Sequence, residues 1–558
     1  MSALSVSFKS VSFKTDPKQL HHWILSVEGP VATLTMRVTP TEGLRDDYEL
    51  KLNSYDLSVD IELSDIVTRL RFEHPEVKAV VVVGGVDKVF CAGANIQMLA
   101  SSTHGHKVNF CKMTNETRNT IEESGTHAGQ GWIAAVNGTA AGGGYELALA
   151  CDEIVMIDDR ASAVSLPEVP LLAVLPGTGG LTRLVDKRLI RRDLADVFST
   201  RTEGCKAPQA LEWRLVDHIA PRSEFDALVA RRAADWVMRS DRPDSAVGVT
   251  LPIFGSSAII TDDGFSSTYV NITIDRALGA ATFVVRGPSG LQPTTGEELC
   301  TVGESAWLLR AAFELDYAML HLRFNEPEIG TWVLRTEGSA ADVWDAEAVL
   351  ASTHWLARET KLLWARVLKR LDLSARTLVT LIDPSSCFVG LLAELVLAAD
   401  RSFMLSGEAE DTPGSLALLQ LSDANNGWFP MSNGLSRLAS RFWGRDDALQ
   451  TAVAQIGVPL DAKAALHTEL VTFAPDDIDY PDDVRMALEE RASFSPDALT
   501  AMEANFRFVG PETIETKIFA RLSAWQNWIF QRPNAVGPNG ALQRYGTGSR
   551  PDFDKKRV

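Results

Sequence analysis

Residues 77–85 (VKAVVVVGG) are apolar apart from Lys78, which predicts a strand covered on both faces and a turn after it. Alternating apolar and polar positions over 30–38 predict another strand, and a 3.6-residue apolar repeat over 59–72 predicts an amphipathic helix. Residues 132–137 form a third apolar strand, followed by Gly142, Gly143 and Gly144 and then by good helix formers over 145–151. Strands alternating with helices in this order indicate an α/β core.

The second half repeats the order less clearly. ELVLAAD at 394–400 echoes ELALACD at 146–152, 248 positions later. GTWVLRTEG ending at Gly338 echoes KAVVVVGG ending at Gly85, and YAMLHLRF at 317–324 echoes the predicted strand VATLTMRV at 31–38. Echoes in unchanged order predict an internal duplication. Between the halves, 269–274 and 281–286 are strand-like and lead into the turn-rich GPSGLQPTTGEE. Beyond residue 480 the pattern is helical, with segments rich in tryptophan and phenylalanine at 495–506 and 511–530. Glycine and proline at 532–537 and 545–551 predict a tail outside the core, either closing over a ligand or lying free.

Length and charge narrow the picture. A chain of 558 residues exceeds a single core. A formal net charge of −19 argues against phosphate-backbone binding, so no nucleic-acid partner is expected, and any polyanionic ligand needs a local basic patch. No apolar run reaches the roughly 18 residues of a membrane span, and the first residues, MSALSVSFKSVSFKTDPKQLHHW, lack a signal peptide's apolar core. A cytoplasmic chain without a membrane partner is expected. The cysteines at 91, 111, 151, 205, 300 and 387 have no paired spacing, which predicts neither disulfides nor a zinc site. His104 and His106 lack further ligands at metal-site spacing, so no metal is assigned. The glycosylation-like triplets at Asn115, Asn137 and Asn271 carry no weight in such a compartment.

Candidate chemistry concentrates in 134–180, AAVNGTAAGGGYELALACDEIVMIDDRASAVSLPEVPLLAVLPGTGG. The glycine run leaves no side chains over the backbone at a helix start, where N–H groups lack intrahelical partners and favour negative charge. Glu146 lies in the first turn of that helix, and Glu168 follows a second apolar run between Pro167 and Pro170. Two carboxylates beside an anion hole suit general acid–base chemistry.

The succession AAVNG, GGG-x-E-L, C-D, P-E and L-P-G-x-G-G closely resembles the crotonase (enoyl-CoA hydratase/isomerase) family. An upstream loop, Val89 to Ile96 (VFCAGANI), fits that family's F-x-A-G-A-D-I motif, with Asn95 where aspartate is usual. The resemblance covers about residues 30 to 240 and implies a crotonase spiral of ββα repeats, here duplicated, with a degenerate second copy and C-terminal helices. It implies an oxyanion hole from the N–H groups of Ala94 and Gly143, catalytic carboxylates at Glu146 and Glu168, and substrate contacts along Cys91, Gly93, Asn95 and Gly142. Cys111, with Asn109 and Asn115, falls in the segment that lines the family's acyl pocket, and Cys111 joins the catalytic candidates. Residues 41–56 depart from the family's short loop near CoA. In the second copy Leu391 and Leu392 replace two of the three glycines while Glu394 remains, so no second active site is expected. The expected organisation is a catalytic domain at 1–245, a connector at 246–305, the degenerate copy at 306–480, and a helical segment with tail at 481–558.

The chain length, Asn95 and the tail GPETIETKIFARLSAWQNWIFQRPNAVG resemble the benzoyl-CoA-dihydrodiol lyases of aerobic benzoate degradation. That resemblance implies hydrolytic ring cleavage of 2,3-epoxybenzoyl-CoA by two waters to 3,4-didehydroadipyl-CoA semialdehyde and formate. It implies no cofactor, CoA being part of the substrate, and an acyl-CoA as partner; the aromatic-rich C-terminal helices point to a homo-oligomer such as a dimer. One glutamate would protonate the epoxide oxygen and the other activate water, in an order the sequence leaves open. Each oxyanion donor would contribute about 3 kcal/mol. The alternatives are a plain enoyl-CoA hydratase or isomerase, which needs the same groups, and a silent acyl-CoA-binding scaffold.

Overall fold

The computed structural model describes residues 10–408 and 414–558. They divide into two compact units, Phe13–Phe254 and Gly255–Val558, the latter joined by residues 10–12. The first unit runs β1 (Trp23–Glu28), β2 (Val31–Met36), β3 (Ser54–Tyr55), α1 (Leu57–Phe72), β4 (Ala79–Gly84), β5 (Val89–Cys91), β6 (Gly93–Ala94), α2 (Ile96–Ser101), α3 (His104–His127), β7 (Gly131–Val136), β8 (Thr139–Ala141), α4 (Gly143–Ala150), β9 (Glu153–Ile157), β10 (Ala163–Ser165), α5 (Glu168–Leu172), β11 (Cys205–Lys206) and β12 (His218–Ala220). The α/β order expected from the hydrophobic pattern is present.

A six-stranded sheet has the order β1-β2-β4-β7-β9-β12, antiparallel only between β1 and β2. The continuous apolar run of β4 is explained by burial from both sides. Ala79, Val81, Ile133, Ala135, Val155 and Ile157 pack on Phe225, Val229 and Ala233 of helix Arg222–Arg239, while Val80, Val82, Trp132, Ala134 and Ile154 are fully buried. Each buried valine or isoleucine contributes roughly 1.5–3 kcal/mol. A second sheet of four strands, β11-β10-β8-β5, positions the chemistry. Its adjacent parallel strands β5, β8 and β10 lead respectively into Gly93–Ala94, the glycine run and Glu168.

The second unit contains strands β13 (Ile259–Thr261), β14 (Gly264–Ser266), β15 (Val270–Asp275), β16 (Ala280–Arg286), β17 (Thr331–Glu337), β18 (Thr377–Ile382), β19 (Phe388–Val389) and β20 (Arg401–Met404). Its main sheet is ordered β13-β14-β15-β16-β17-β18-β20. The β15–β16 hairpin is antiparallel and the strands after it are parallel, as in β1-β2-β4-β7-β9. Two sequence expectations change here. YAMLHLRF lies in helix Trp307–Asn325, not in a strand. Its His321 and Arg323 mimic strand alternation, but both are buried, and the His321 ring nitrogen pairs with Asn325 Nδ2 at 3.1 Å. The counterpart of β2 is therefore β16, and the stretch 246–305 supplies a hairpin of the second sheet. A ββα repeat needs that hairpin before its crossover helix.

Helices Tyr480–Ser493 and Pro496–Arg507 follow. The helix expected over 511–530 starts at Ile514, after Thr513 caps it, and passes through a π turn at Lys517–Leu522. The tail is anchored: buried Arg557 donates to Gly330 O at 2.8 Å and Thr377 Oγ1 at 3.0 Å. Among the described residues no helix is long and apolar enough to cross a membrane.

Candidate active site

The three loops from the small sheet converge. Gly93 has φ +88°, and a Cβ built on it would stand 2.7 Å from Ala141 O and 3.0 Å from Gly143 N, so the two predicted anion-hole loops touch. Ala94 is held by β6, which pairs in parallel with β3 through Ser54–Gly93 and Tyr55–Ala94. Gly142 precedes helix α4 at φ +52° and ψ −127°, a conformation open only to glycine. A Cβ there would fall 2.6 Å from Glu168 Oε1, so the Glu168 carboxylate lies directly over the turn. A Cβ on Gly143 would overlap the Tyr55 hydroxyl, and one on Gly144 would lie 2.6 Å from Cys91 Cβ. Gly143 begins α4, so its N–H has no acceptor within the helix.

The two glutamates have different surroundings. Glu146 is buried. Its Oε1 accepts from Thr178 N at 3.0 Å and Gly180 N at 2.7 Å, and its Oε2 accepts from Thr178 Oγ1. Arg118 Nη1 stands 3.9 Å from the same oxygen. Glu168 opens the short helix α5 with its Oε2 buried and unpartnered. Burial, reinforced by the charge of Glu146, pushes Glu168 up to about 7. A carboxyl so placed exchanges protons near neutrality, whereas Glu146 is fixed by donors.

The remaining predicted residues surround this pair. Cys111 lies on α3 with Gly177 against it, a Cβ on that glycine standing 3.2 Å from its sulfur. Burial pushes the Cys111 thiol up to about 11. Asn115 donates to Cys111 O at 3.0 Å and to Gly177 O at 3.1 Å. Asn109 is buried on the same helix. Cys91 sits behind the first loop, its sulfur donating to Asn53 O at 3.0 Å and accepting from Gly93 N at 3.3 Å. Asn95 caps α2, its Oδ1 accepting from Met98 N at 2.9 Å and its Nδ2 donating to Glu49 O at 2.8 Å. The side chains of Cys91 and Asn95 thus shape the loops, including the atypical 41–56 stretch. His104 and His106 fall in the first turn of α3, and among the described residues no group of three or more His, Cys, Asp and Glu gathers to hold a metal.

Sequence reading missed Tyr55, Arg118 and the donors of Thr178 and Gly180. Arg118 is buried and donates to Tyr55 Oη at 2.7 Å, Gly143 O at 2.8 Å and Thr178 O at 3.1 Å. A signal existed: Cys111, Asn115 and Arg118 fall at helical spacing on one face of α3.

The enoyl-CoA hydratase/isomerase family profile matches residues 49–246, which carry both loops and both glutamates and set the class of the fold and site. Solved enoyl-CoA hydratases are similar over part of the chain. One from Geobacillus kaustophilus HTA426 is 33% identical, covering 39% of this chain and 75% of its own with a TM-score of 0.35. One from Bacillus anthracis is 26% identical, covering 38% and 76% with a TM-score of 0.33. A protein of Aromatoleum evansii named benzoyl-CoA-dihydrodiol lyase is 51% identical over 551 residues, 98% of each chain. The chain belongs to the benzoyl-CoA-dihydrodiol lyase family of the crotonase superfamily.

Proposed function

We propose that the chain is a benzoyl-CoA-dihydrodiol lyase of aerobic benzoate degradation, cleaving the ring of 2,3-epoxybenzoyl-CoA with two waters to 3,4-didehydroadipyl-CoA semialdehyde and formate. The observation that carries the choice of reaction is the extent of the kinship, which runs through the second unit and the tail as well as the hydratase-like part.

The geometry supports a division of labour that the sequence left open. The thioester carbonyl accepts the N–H groups of Ala94 and Gly143, so electron density moving onto its oxygen is stabilised by about 3 kcal/mol per donor. Glu168, held near neutrality with a free oxygen over Gly142, delivers a proton to the epoxide oxygen as it opens and takes one back from water in the later step. Glu146, gripped by Thr178 and Gly180, serves as the second carboxylate of the pair and orients the attacking water. Cys111, a neutral thiol against Gly177, acts as a wall of the acyl pocket rather than as a nucleophile. Backbone turns at Gly93 and Gly142 bring substrate close to both loops, while Cys91 and Asn95 hold those loops in place.

The repeated strand order supports descent of the second unit from a copy of the first, which now serves the fold. Exposed Ile518, Phe519 and Leu522 on the C-terminal helix support self-association as a homo-oligomer. Use of a CoA thioester and the lack of a membrane-spanning helix among the described residues support a cytoplasmic enzyme. The test is incubation with 2,3-epoxybenzoyl-CoA, with formate measured against crotonyl-CoA hydration. Stoichiometric formate is expected. Hydration of crotonyl-CoA without formate from the epoxide would instead make the chain a hydratase.

A further inference from the structure

Two N–H donors stabilise an oxyanion only when both lie 2.7–3.1 Å from its position. In this chain they come from loops on different strands, so their separation must be set by something that touches both. Tyr55 does so. Its main chain belongs to the β3–β6 pair: Tyr55 stands beside Ala94, and its carbonyl accepts from Asn95 N at 2.8 Å. Its hydroxyl reaches the other loop, lying so close to the Gly143 Cα that no Cβ fits, and accepts from Arg118 Nη2 at 2.7 Å. The same Nη2 donates to Gly143 O at 2.8 Å, while Nη1 reaches Thr178 O at 3.1 Å in the loop that holds Glu146. Both side chains are buried, with 3% of Tyr55 and 1% of Arg118 exposed, which restricts their motion.

We propose that Tyr55 and Arg118 are positioning residues that clamp the two halves of the anion hole, the tyrosine fixing Ala94 through its backbone and the arginine fixing Gly143 through its carbonyl, which is joined through the Gly143 Cα to the peptide that carries the donor N–H. The proposal rests on the thioester-enolate reading of this site and adds what sets its geometry. Tyr55 and Arg118 do not touch substrate in this account. They act by holding Gly143 and Ala94 in register, and a displacement of about 1 Å in such a site costs about 100-fold in rate. Arginine is required over lysine because one planar fork meets Tyr55, Gly143 and Thr178 at once, which an ammonium on a flexible stem cannot do.

Difference infrared spectroscopy of bound benzoyl-CoA, carbon-13 labelled at the thioester carbonyl, reads the hole directly, because a polarised carbonyl stretches at lower frequency. Tyr55→Phe removes one oxygen and preserves packing, and Arg118→Lys keeps the charge near Glu146 while removing the fork. Both variants are expected to bind benzoyl-CoA within threefold of the parent, to lose most of the carbonyl shift, and to lose 10- to 100-fold in kcat. Parental carbonyl shift and kcat in Tyr55→Phe and Arg118→Lys would overturn the clamp. So would a parental Arg118→Lys beside an impaired Arg118→Gln, which would assign the arginine to the charge of Glu146 instead. A parent protein whose bound carbonyl does not shift would remove the hole and the clamp together. Failure of the ring-cleavage reading shows separately, as absent formate from a parent whose bound carbonyl does shift; crotonyl-CoA hydration then supplies the rate comparison.

Discussion

Glu168 offers a test in which loss of activity and gain of stability come from the same atoms. Burial and the charge of Glu146 carry this carboxyl from its ordinary 4.5 to about 7. Between those values the folded chain keeps a proton that the unfolded chain has released, so stability falls as pH rises through the window and stays lowered above it. At about 1.4 kcal/mol per pH unit the interval sets a ceiling of about 3 kcal/mol. Solvent reaching part of the side chain screens the charge, leaving about 1–3 kcal/mol. Glu168→Gln has the same shape and no charge. It is expected to melt above the parent at pH 8, at about 2–4 °C per kcal/mol for a unit of this size, and to lose that advantage by pH 4.5. Formate release should fall by about 10²- to 10⁴-fold, since the amide cannot donate a proton to the opening epoxide. Scanning calorimetry at the two pH values measures the stability, with benzoyl-CoA marking the transition of the first unit. A pH-independent difference, or a variant that melts below the parent at pH 8, would refute the reasoning.

Gly143→Ala places a methyl group against the Tyr55 hydroxyl, and steady-state kinetics should show kcat lowered by about 10²- to 10³-fold in a folded protein. Glu394→Gln takes from buried Arg437 one of its two carboxylate partners, Asp372 being the other. Denaturant unfolding should show the second unit weakened by about 3 kcal/mol, while kcat per folded molecule stays within twofold. Cys111, its thiol held up to about 11, stays protonated at neutral pH. Iodoacetamide at pH 7.5 should leave it unlabelled in the native protein and label it after denaturation, as read by peptide mass spectrometry.

The candidate site was legible where it depends on local backbone. Gly142 to Gly144, Glu146 and Glu168 lie within one stretch, and the residue types needed for a tight turn, a helix start and a proton-transfer group leave few alternatives. Tyr55 and Arg118 were not legible. Arg118 belongs to the polar stretch HGHKVNFCKMTNETRNTIEESGTH, and its burial follows from partners distant in the sequence, Tyr55, Gly143 and Thr178. Tyr55 lies in a two-residue strand whose partner is a loop 39 residues away. The misread segment 317–324 has the same origin: alternation signals a strand only when one face is wet, and most of helix Trp307–Asn325 is buried.

The second unit separates what the turn needs from what the reaction needs. Gly390 has φ +48° against +52° for Gly142, and Glu394 stands four residues on, as Glu146 does. The backbone of the Gly142 turn thus recurs at Gly390 without the glycines that follow it in the first unit. Its N–H donors still require an acceptor once buried. Leu391, at the position of Gly143, donates to a carboxylate oxygen of Glu347, a side chain from helix Ala340–Ala348, and that carboxylate also fills the space where a Cβ on Gly390 would point. Glu394 is meanwhile paired with Arg437 at 2.8 Å and held by Asn425, where Glu146 has a distant arginine, two backbone donors and the Thr178 hydroxyl. In the second unit the protein supplies its own acceptor at the turn and its own cation beside Glu394. In the first, Glu168 lies over the equivalent glycine but leaves an oxygen unpartnered, and the helix-start N–H meets no side-chain carboxylate among the described hydrogen bonds. The two turns thus differ in their acceptor: Glu347 meets the Leu391 N–H in the second unit, and no side-chain carboxylate meets the Gly143 N–H among the described hydrogen bonds of the first.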